Sequence, residues 1–270
     1  MDRPPPADPH SDAGPEPETP SMPPILRAIL TAALFLTRLP LPSPGPFDTT
    51  LFGRAMGWFP AIGAVLGLAA GLAFGILGGF GLPPVLAATI TVTMLVVITG
   101  GLHEDGLADT ADGFGGGRDR EHTLEIMRDS RLGAFGALAL VLSVALRVGA
   151  LAAAPTTWAA IKLLVVAGAT SRAAMVAASH GLPPARRDGL SATLGGPARG
   201  AVLLALAFTL GVAFLFLGLK ALPVLAVAAG TTVALMRLAR VQIGGQTGDV
   251  LGALQQAVEI VVMVLLVGLT

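Results

Sequence analysis

Residues 56–80 read MGWFPAIGAVLGLAAGLAFGILGGF, twenty-five positions without one ionisable side chain. About 20 helical residues cross the hydrocarbon of a bilayer, so this run is long enough to span it. Gly63, Gly67, Gly71 and Gly75 recur at four-residue steps along the run. Such a stripe of small residues lets helix backbones approach closely in lipid, and its role is packing. Further apolar runs lie near 84–101, 133–154, 158–180, 200–219, 222–239 and 250–269. A shorter one, 25–37, is marginal in length and is expected to lie at the interface or to re-enter. It ends at Thr37-Arg38-Leu39-Pro40-Leu41-Pro42, where the prolines deny a helix its donors.

Composition agrees. Of 270 residues, 53% are apolar and 13% are charged, about half the charge of a soluble domain. Mean hydropathy is +0.76. The expected fold is all-α: a polytopic integral membrane protein with about seven transmembrane helices plus a short N-terminal interfacial or re-entrant helix. A soluble two-domain enzyme is excluded by this composition. Residues 1–24 differ from the rest, with nine prolines, five acids and little to bury. They read as a disordered, Pro-rich acidic tail ahead of a membrane-embedded domain at 25–270. The chain has no cysteine, which removes disulfides, thiolate metal sites and cysteine nucleophiles. Its formal net charge is +0, so no global basic field recruits nucleic acid.

The connections set the orientation. Those at 102–132, 181–199 and 237–248 carry Arg118, Arg120, Arg128, Arg131, Arg186, Arg187, Arg199, Arg237 and Arg240. The intervening ones are short and contribute only Lys220. The positive-inside rule then places the basic connections in the cytoplasm, joined there by Arg38 and Arg54. Arg147 and Lys162 lie near the opposite ends of their spans, where they are expected to snorkel outward.

Residues 99–136 form the one long charged stretch of the membrane portion. Asp105, Asp109 and Asp112, spaced four and then three apart, fall on one face of a helix. Like charges so placed need compensation, and Mg2+ supplies it with carboxylates and substrate phosphate oxygens as ligands. The alternative is a solvated acidic face. Gly113, Gly115, Gly116 and Gly117 follow directly, and a glycine here is expected to end the helix in a left-handed conformation and let a phosphate approach the backbone, the alternative being a flexible turn. Glu121, Glu125 and Asp129 continue at four-residue steps, again on one helical face, beside Arg128 and Arg131. Guanidinium groups match phosphate oxygens with paired hydrogen bonds. Pairing within the helix is the competing use of these charges. Arg172 stands roughly nine residues, about 13 Å, inside its span. An intramembrane Arg needs a phosphate or an acidic partner, and Asp249 or Glu259 could serve as a structural one.

The stretches GGLHEDGLADTADG (100–113), LEIMRDSRLGAFG (124–136) and GGQTGDVLGA (244–253) resemble the cobalamin synthase family, the adenosylcobinamide-GDP ribazoletransferases. FLTRLPLP (35–42), WFPAIGAVLG (58–67) and the Ser171-Arg172 pair extend the similarity over nearly the whole chain from about residue 30. Glu104 and the extra glycines at 115–117 depart from the pattern. The resemblance implies Mg2+-dependent transfer of the corrinoid-bearing phosphate from adenosylcobinamide-GDP to the 3′-hydroxyl of α-ribazole or its 5′-phosphate, releasing GMP. It implies metal ligands among Asp105, Asp109, Asp112 and Asp129, and a general base among Asp112, Asp129 and His103. It assigns substrate contacts to Arg128, Arg131, Arg172, Gly113, Gln246, Thr247 and Asp249, although Thr247 or Asp249 could equally cap the last helix. The site would face the cytoplasm from a bacterial inner membrane. A homo-oligomer is compatible with these residues.

Two other readings stay open at this stage. Asp109-x2-Asp112-Gly113 is similar to the CDP-alcohol phosphotransferase signature, but the Ala-Arg pair that follows in that family is absent. An ion-coupled transporter could use the acidic cluster as a cation path. Its acids, however, crowd a connection, whereas transport sites sit at mid-membrane.

Overall fold

The structure, a computed structural model, describes residues 22–46, 48–186 and 194–269. Most of the 1–24 tail and Arg187 lie outside the described residues. The elements are α1 (Pro24–Leu36), α2 (Thr49–Ala55), a 3-10 turn (Met56–Trp58), α3 (Phe59–Gly79), α4 (Pro84–Thr99) and α5 (Leu102–Gly116). They continue with α6 (Arg120–Ile126), α7 (Ala134–Ala152), α8 (Thr157–Gly181), α9 (Arg199–Leu217), α10 (Ala221–Ile243) and α11 (Gly248–Leu269). The described residues hold no strand, only an isolated bridge between Pro184 and Gln246.

The glycine stripe of α3 seats on α8. A Cβ at Gly63 would overlap the Gly168 carbonyl, one at Gly67 the Leu164 carbonyl, and one at Gly71 the side chain of Ile161. The two backbones therefore pack directly on each other. Helix α8 forms the axis of the bundle, with 94% of its apolar window buried against 17% for the stretch Arg199–Ile243. Leu203, Leu215, Leu219 and Val241 of that stretch are exposed, as are Val65, Phe80 and Val97 elsewhere. This much outward apolar surface is incompatible with water and suits a bilayer.

Five helical stretches are long and apolar enough to cross a membrane, and the bent pair α4–α5 makes a sixth. The expectation of about seven differs in how Arg199–Ile243 is counted. That stretch of 45 residues is interrupted at Gly218, where φ is +56°. The halves on either side coincide with the expected runs 200–219 and 222–239.

The region 102–132, expected as a connection with helical stretches about its acids, contains two helices, α5 and α6. Gly100 and Gly101 both sit at φ +67°, in the left-handed region open to glycine, and between them α5 turns 89° away from α4. We read α4 as the spanning piece. Helix α5 packs on α7 and α11, where Gly106 meets the Asp249 backbone, Asp112 reaches Gly133 and Gly136, and Glu104 reaches Arg147 and Gln256 farther along the two helices. Arg120, at the start of α6, ties three connections together by donating to the carbonyls of Ile243 (2.9 Å) and Ala185 (2.8 Å). The connections at 102–132, 181–186 and 243–249 thus meet at one end of the bundle. Lys220, bonded to the Leu269 carbonyl, marks the other end.

Candidate active site

Helix α5 presents its acids on one side, as their spacing dictates, but each takes a different environment. Asp105 is exposed and Asp109 half-buried, whereas Asp112 is buried. Asp112 accepts from the backbone N–H groups of Gly133 and Gly136, both at 2.8 Å. It therefore caps α7, two of its lone pairs being committed to orphan donors of that helix. Asp109 feels burial first, then the charges of Asp105, Asp249 and Asp112, and its pKa is raised from 3.8 to about 6. Asp249, from the first turn of α11, faces Arg186 at 3.6 Å and accepts from the Thr247 hydroxyl at 3.2 Å. Asp105, Asp109 and Asp249 accordingly form an acidic group drawn from two elements. Among the described residues no three His, Asp or Glu side chains gather closely enough to enclose a metal.

Several sequence-based expectations need correction here. Helix α5 does end among these glycines, at Gly116 with Gly117 as its cap, but Gly117 is extended (φ −72°) and not left-handed; the bare Cα of Gly113 admits Met127, just past α6. Asp129 lies beyond α6, which stops at Ile126, so Glu121, Glu125 and Asp129 do not share one helical face. Asp129 is gripped by the Arg131 guanidinium at 2.9–3.0 Å from Nε, which holds its carboxyl below the usual range. That pair is surface-exposed, and Arg128 beside it is exposed too.

The arginines inside the bundle follow another logic. Arg172 is bonded to Glu259 of α11 and to the Ser171 hydroxyl, not to Asp249. Arg147 does not snorkel outward: it is 3% exposed and pairs with Glu104 at 2.9 Å and with Glu259 at 3.7 Å. Carboxylates from α5 and α11 offer it a partner inside the bundle, which outweighs the reach to an interface. Gln256 links Glu104, Gln255 and Ser143 into the same network. Glu104, the departure from the family pattern, thus becomes the partner of Arg147. Two acids and two arginines balance.

The 244–249 connection is held by the preceding one. Gln246 is buried and exchanges backbone bonds with Pro183 and Ala185, and Thr247 accepts from Val250 N–H, capping α11. Two concavities meet above these residues. A cavity of about 200 Å3 runs between Phe35, Phe52 and Phe59 on one wall and His103, Thr247 and Asp249 on the other. A more open groove of about 570 Å3 is lined by Arg38, Asp109, Ser130 and Arg131. Leu102 and Asp105 belong to both. His103 is 1% exposed, and neither ring nitrogen has a hydrogen-bond partner among the described residues. Arg38, Arg186 and the aromatic wall were not singled out by sequence reasoning for the site. The signal available was charge: the two arginines lie in basic connections that the fold draws to one end.

Comparison with known proteins decides the family. The family model described as cobalamin-5-phosphate synthase matches residues 28–267. The chain belongs to that family. An adenosylcobinamide-GDP ribazoletransferase of Bradyrhizobium diazoefficiens is 46% identical over 242 residues, 88% of this chain and 92% of the relative. One of Sinorhizobium medicae is 42% identical over 247 residues (87% and 94%), and one of Syntrophobacter fumaroxidans 43% over 240 (86% and 95%). No solved structure matches the chain. As a cobalamin-5-phosphate synthase family member, the chain is a transferase of cobalamin biosynthesis.

Proposed function

We propose that the chain transfers the corrinoid-bearing phosphate of adenosylcobinamide-GDP to the 3′-hydroxyl of α-ribazole or its 5′-phosphate, releasing GMP, with Mg2+ bound at the acidic group. The observation that carries this reading is the unbalanced acidic group where two concavities meet: Asp105 lines both, and Asp109 is pushed to a pKa of about 6. Its donors are hard carboxylate oxygens only, which fits Mg2+, an ion that uses one or two carboxylates and takes its remaining ligands from water and phosphate. Asp105 and Asp109 would hold the ion, with Asp249 near. When bound it supplies charge neutralisation at the donor's diphosphate. Arg38 and Arg131 line the groove on the same side and are placed to hold phosphate oxygens; Arg131 would exchange Asp129 for the substrate.

Of the three acid–base candidates, Asp112 is engaged as a helix cap and Asp129 by Arg131. His103, whose ring nitrogens have no partner among the described residues, would take the proton of the attacking hydroxyl. The basic connections support a cytoplasmic site on an inner membrane. The test is direct. Purified protein in detergent with adenosylcobinamide-GDP, α-ribazole and Mg2+ should release GMP and form cobalamin in equal amounts. Turnover of a CDP-activated lipid and none of the corrinoid would overturn the reading in favour of the CDP-alcohol alternative.

A further inference from the structure

We infer that the cavity between the aromatic wall and α5 is the subsite for the acceptor's flat base, so that the two substrates enter by different mouths. This rests on the transfer reaction proposed above. The volumes separate the substrates: about 200 Å3 falls below the roughly 300–1,000 Å3 that encloses a drug-sized ligand, so it suits a base with part of its sugar and cannot admit a corrinoid. The open groove on the other side of Asp105 is larger, about 570 Å3, and carries Arg38 and Arg131, whereas Arg186 lines the cavity.

The wall chemistry points the same way. Phe35 lies parallel to Phe59, at 10° with centroids 5.5 Å apart, and edge-on to Phe52 at 5.0 Å. Met175 of α8 lines the cavity as well. Rigid aromatic and thioether surfaces favour a planar, largely apolar ring system by stacking and edge contacts. A methylated benzimidazole offers such a ring, with few polar atoms to satisfy. The opposite wall holds Arg186, Thr247, Asp249 and His103, the last buried and with both ring nitrogens unpartnered among the described residues. A nucleoside seated with its base on the phenylalanines turns its ribose toward that wall. The hydroxyl then lies between His103, which takes its proton, and Asp105, where the groove and the donor phosphate begin. Attack forms the new ribose O–P bond as the phosphoanhydride bond to GMP breaks.

The experiment measures the dissociation constants of α-ribazole and of GDP, as the donor's nucleotide part, on full-length protein in detergent. The variants are Phe35→Ala, which opens the wall, and Ser179→Phe, which fills the cavity from α8. Each should weaken α-ribazole at least tenfold and leave GDP within twofold. As a check that needs no variant, an azido-α-ribazole should cross-link wild-type protein within 35–59 or 175–179. Wild type that binds and turns over α-ribazole while both variants retain its affinity, or that cross-links only at 130–132, overturns the subsite alone. So does a loss confined to GDP. Wild type with no affinity for α-ribazole overturns the subsite together with the reaction beneath it.

Discussion

Two groups of charges lie a few turns apart in this protein and behave in opposite ways. In the bundle interior, Glu104, Arg147, Arg172 and Glu259 are mutually paired, and Gln255 and Gln256 donate to Glu259 and Glu104. At the polar end, Asp105, Asp109 and Asp249 face one another with Arg186 as the neighbouring cation, on the walls of two open spaces. The first group is electrically complete and holds helices α5, α7, α8 and α11 together. The second is incomplete and gains from a cation. The charges of this chain therefore divide by balance: the interior group matches two acids with two arginines, whereas acids are in excess at the polar end.

The largest effect expected is on the interior. Arg172→Ala leaves Glu259 with one arginine in place of two, and removing one partner of a buried pair costs about 3–5 kcal/mol. Thermal unfolding of the purified variant should show that loss, while donor and acceptor KM of the surviving folded fraction stay near wild type. Unchanged stability with a raised donor KM would move Arg172 to the polar group and break the division. Next comes Asp109→Asn, the corresponding change at the polar end. It should lower kcat/KM by about 100-fold or more, the size of effect seen when one preorganised charge-stabilising group is removed. Its fold should persist, as judged by the same thermal scan.

Asp112 sharpens the boundary, because it belongs to the acidic motif by sequence and to the scaffold by geometry. Asp112→Ala removes the cap of α7 and should cost roughly 0.5–2 kcal/mol in stability. Asp112→Asn keeps one acceptor oxygen and should retain most of the activity. Abolished turnover in a stable Asn variant would return Asp112 to the metal site.

The smallest effect concerns protons. The folded-state pKa of Asp109, about 6, lies above its usual 3.8. Between those values the folded chain keeps a proton that the unfolded chain has released. The stability of the metal-free protein should therefore fall as pH rises from about 4 to 6, by about 1 kcal/mol once solvent screening of this half-exposed group is allowed for. Chelated Asp109→Asn should lack that fall.

Much of the fold was legible because lipid imposes simple rules. Uninterrupted apolar runs marked the helices, the α3 glycines marked a close contact, and the basic connections proved to meet at one end. The α4–α5 bend was not read, since Gly100 and Gly101 signal a turn without its angle. At the site, spacing brought out Asp105 and Asp109 as candidates, and the family resemblance added His103 and Asp249. What spacing could not tell was which acids would find backbone partners. Asp112 and Asp109 are three residues apart on one helical face, and only the arrival of α7 makes one a cap. Arg147 and Glu104 were read separately, although opposite charges next to or within apolar runs could have been paired by balance alone.

The division is tested most directly by titrating Mg2+ into metal-free protein and following the melting temperature. A ligand that binds only the folded state stabilises it by about 2.7 kcal/mol at a hundredfold excess over Kd. Wild type and Glu259→Gln should both gain stability on adding Mg2+, whatever their starting points, and Asp109→Asn should gain none. An undiminished Mg2+-dependent rise in Asp109→Asn, or its loss in a folded Glu259→Gln, would contradict the account.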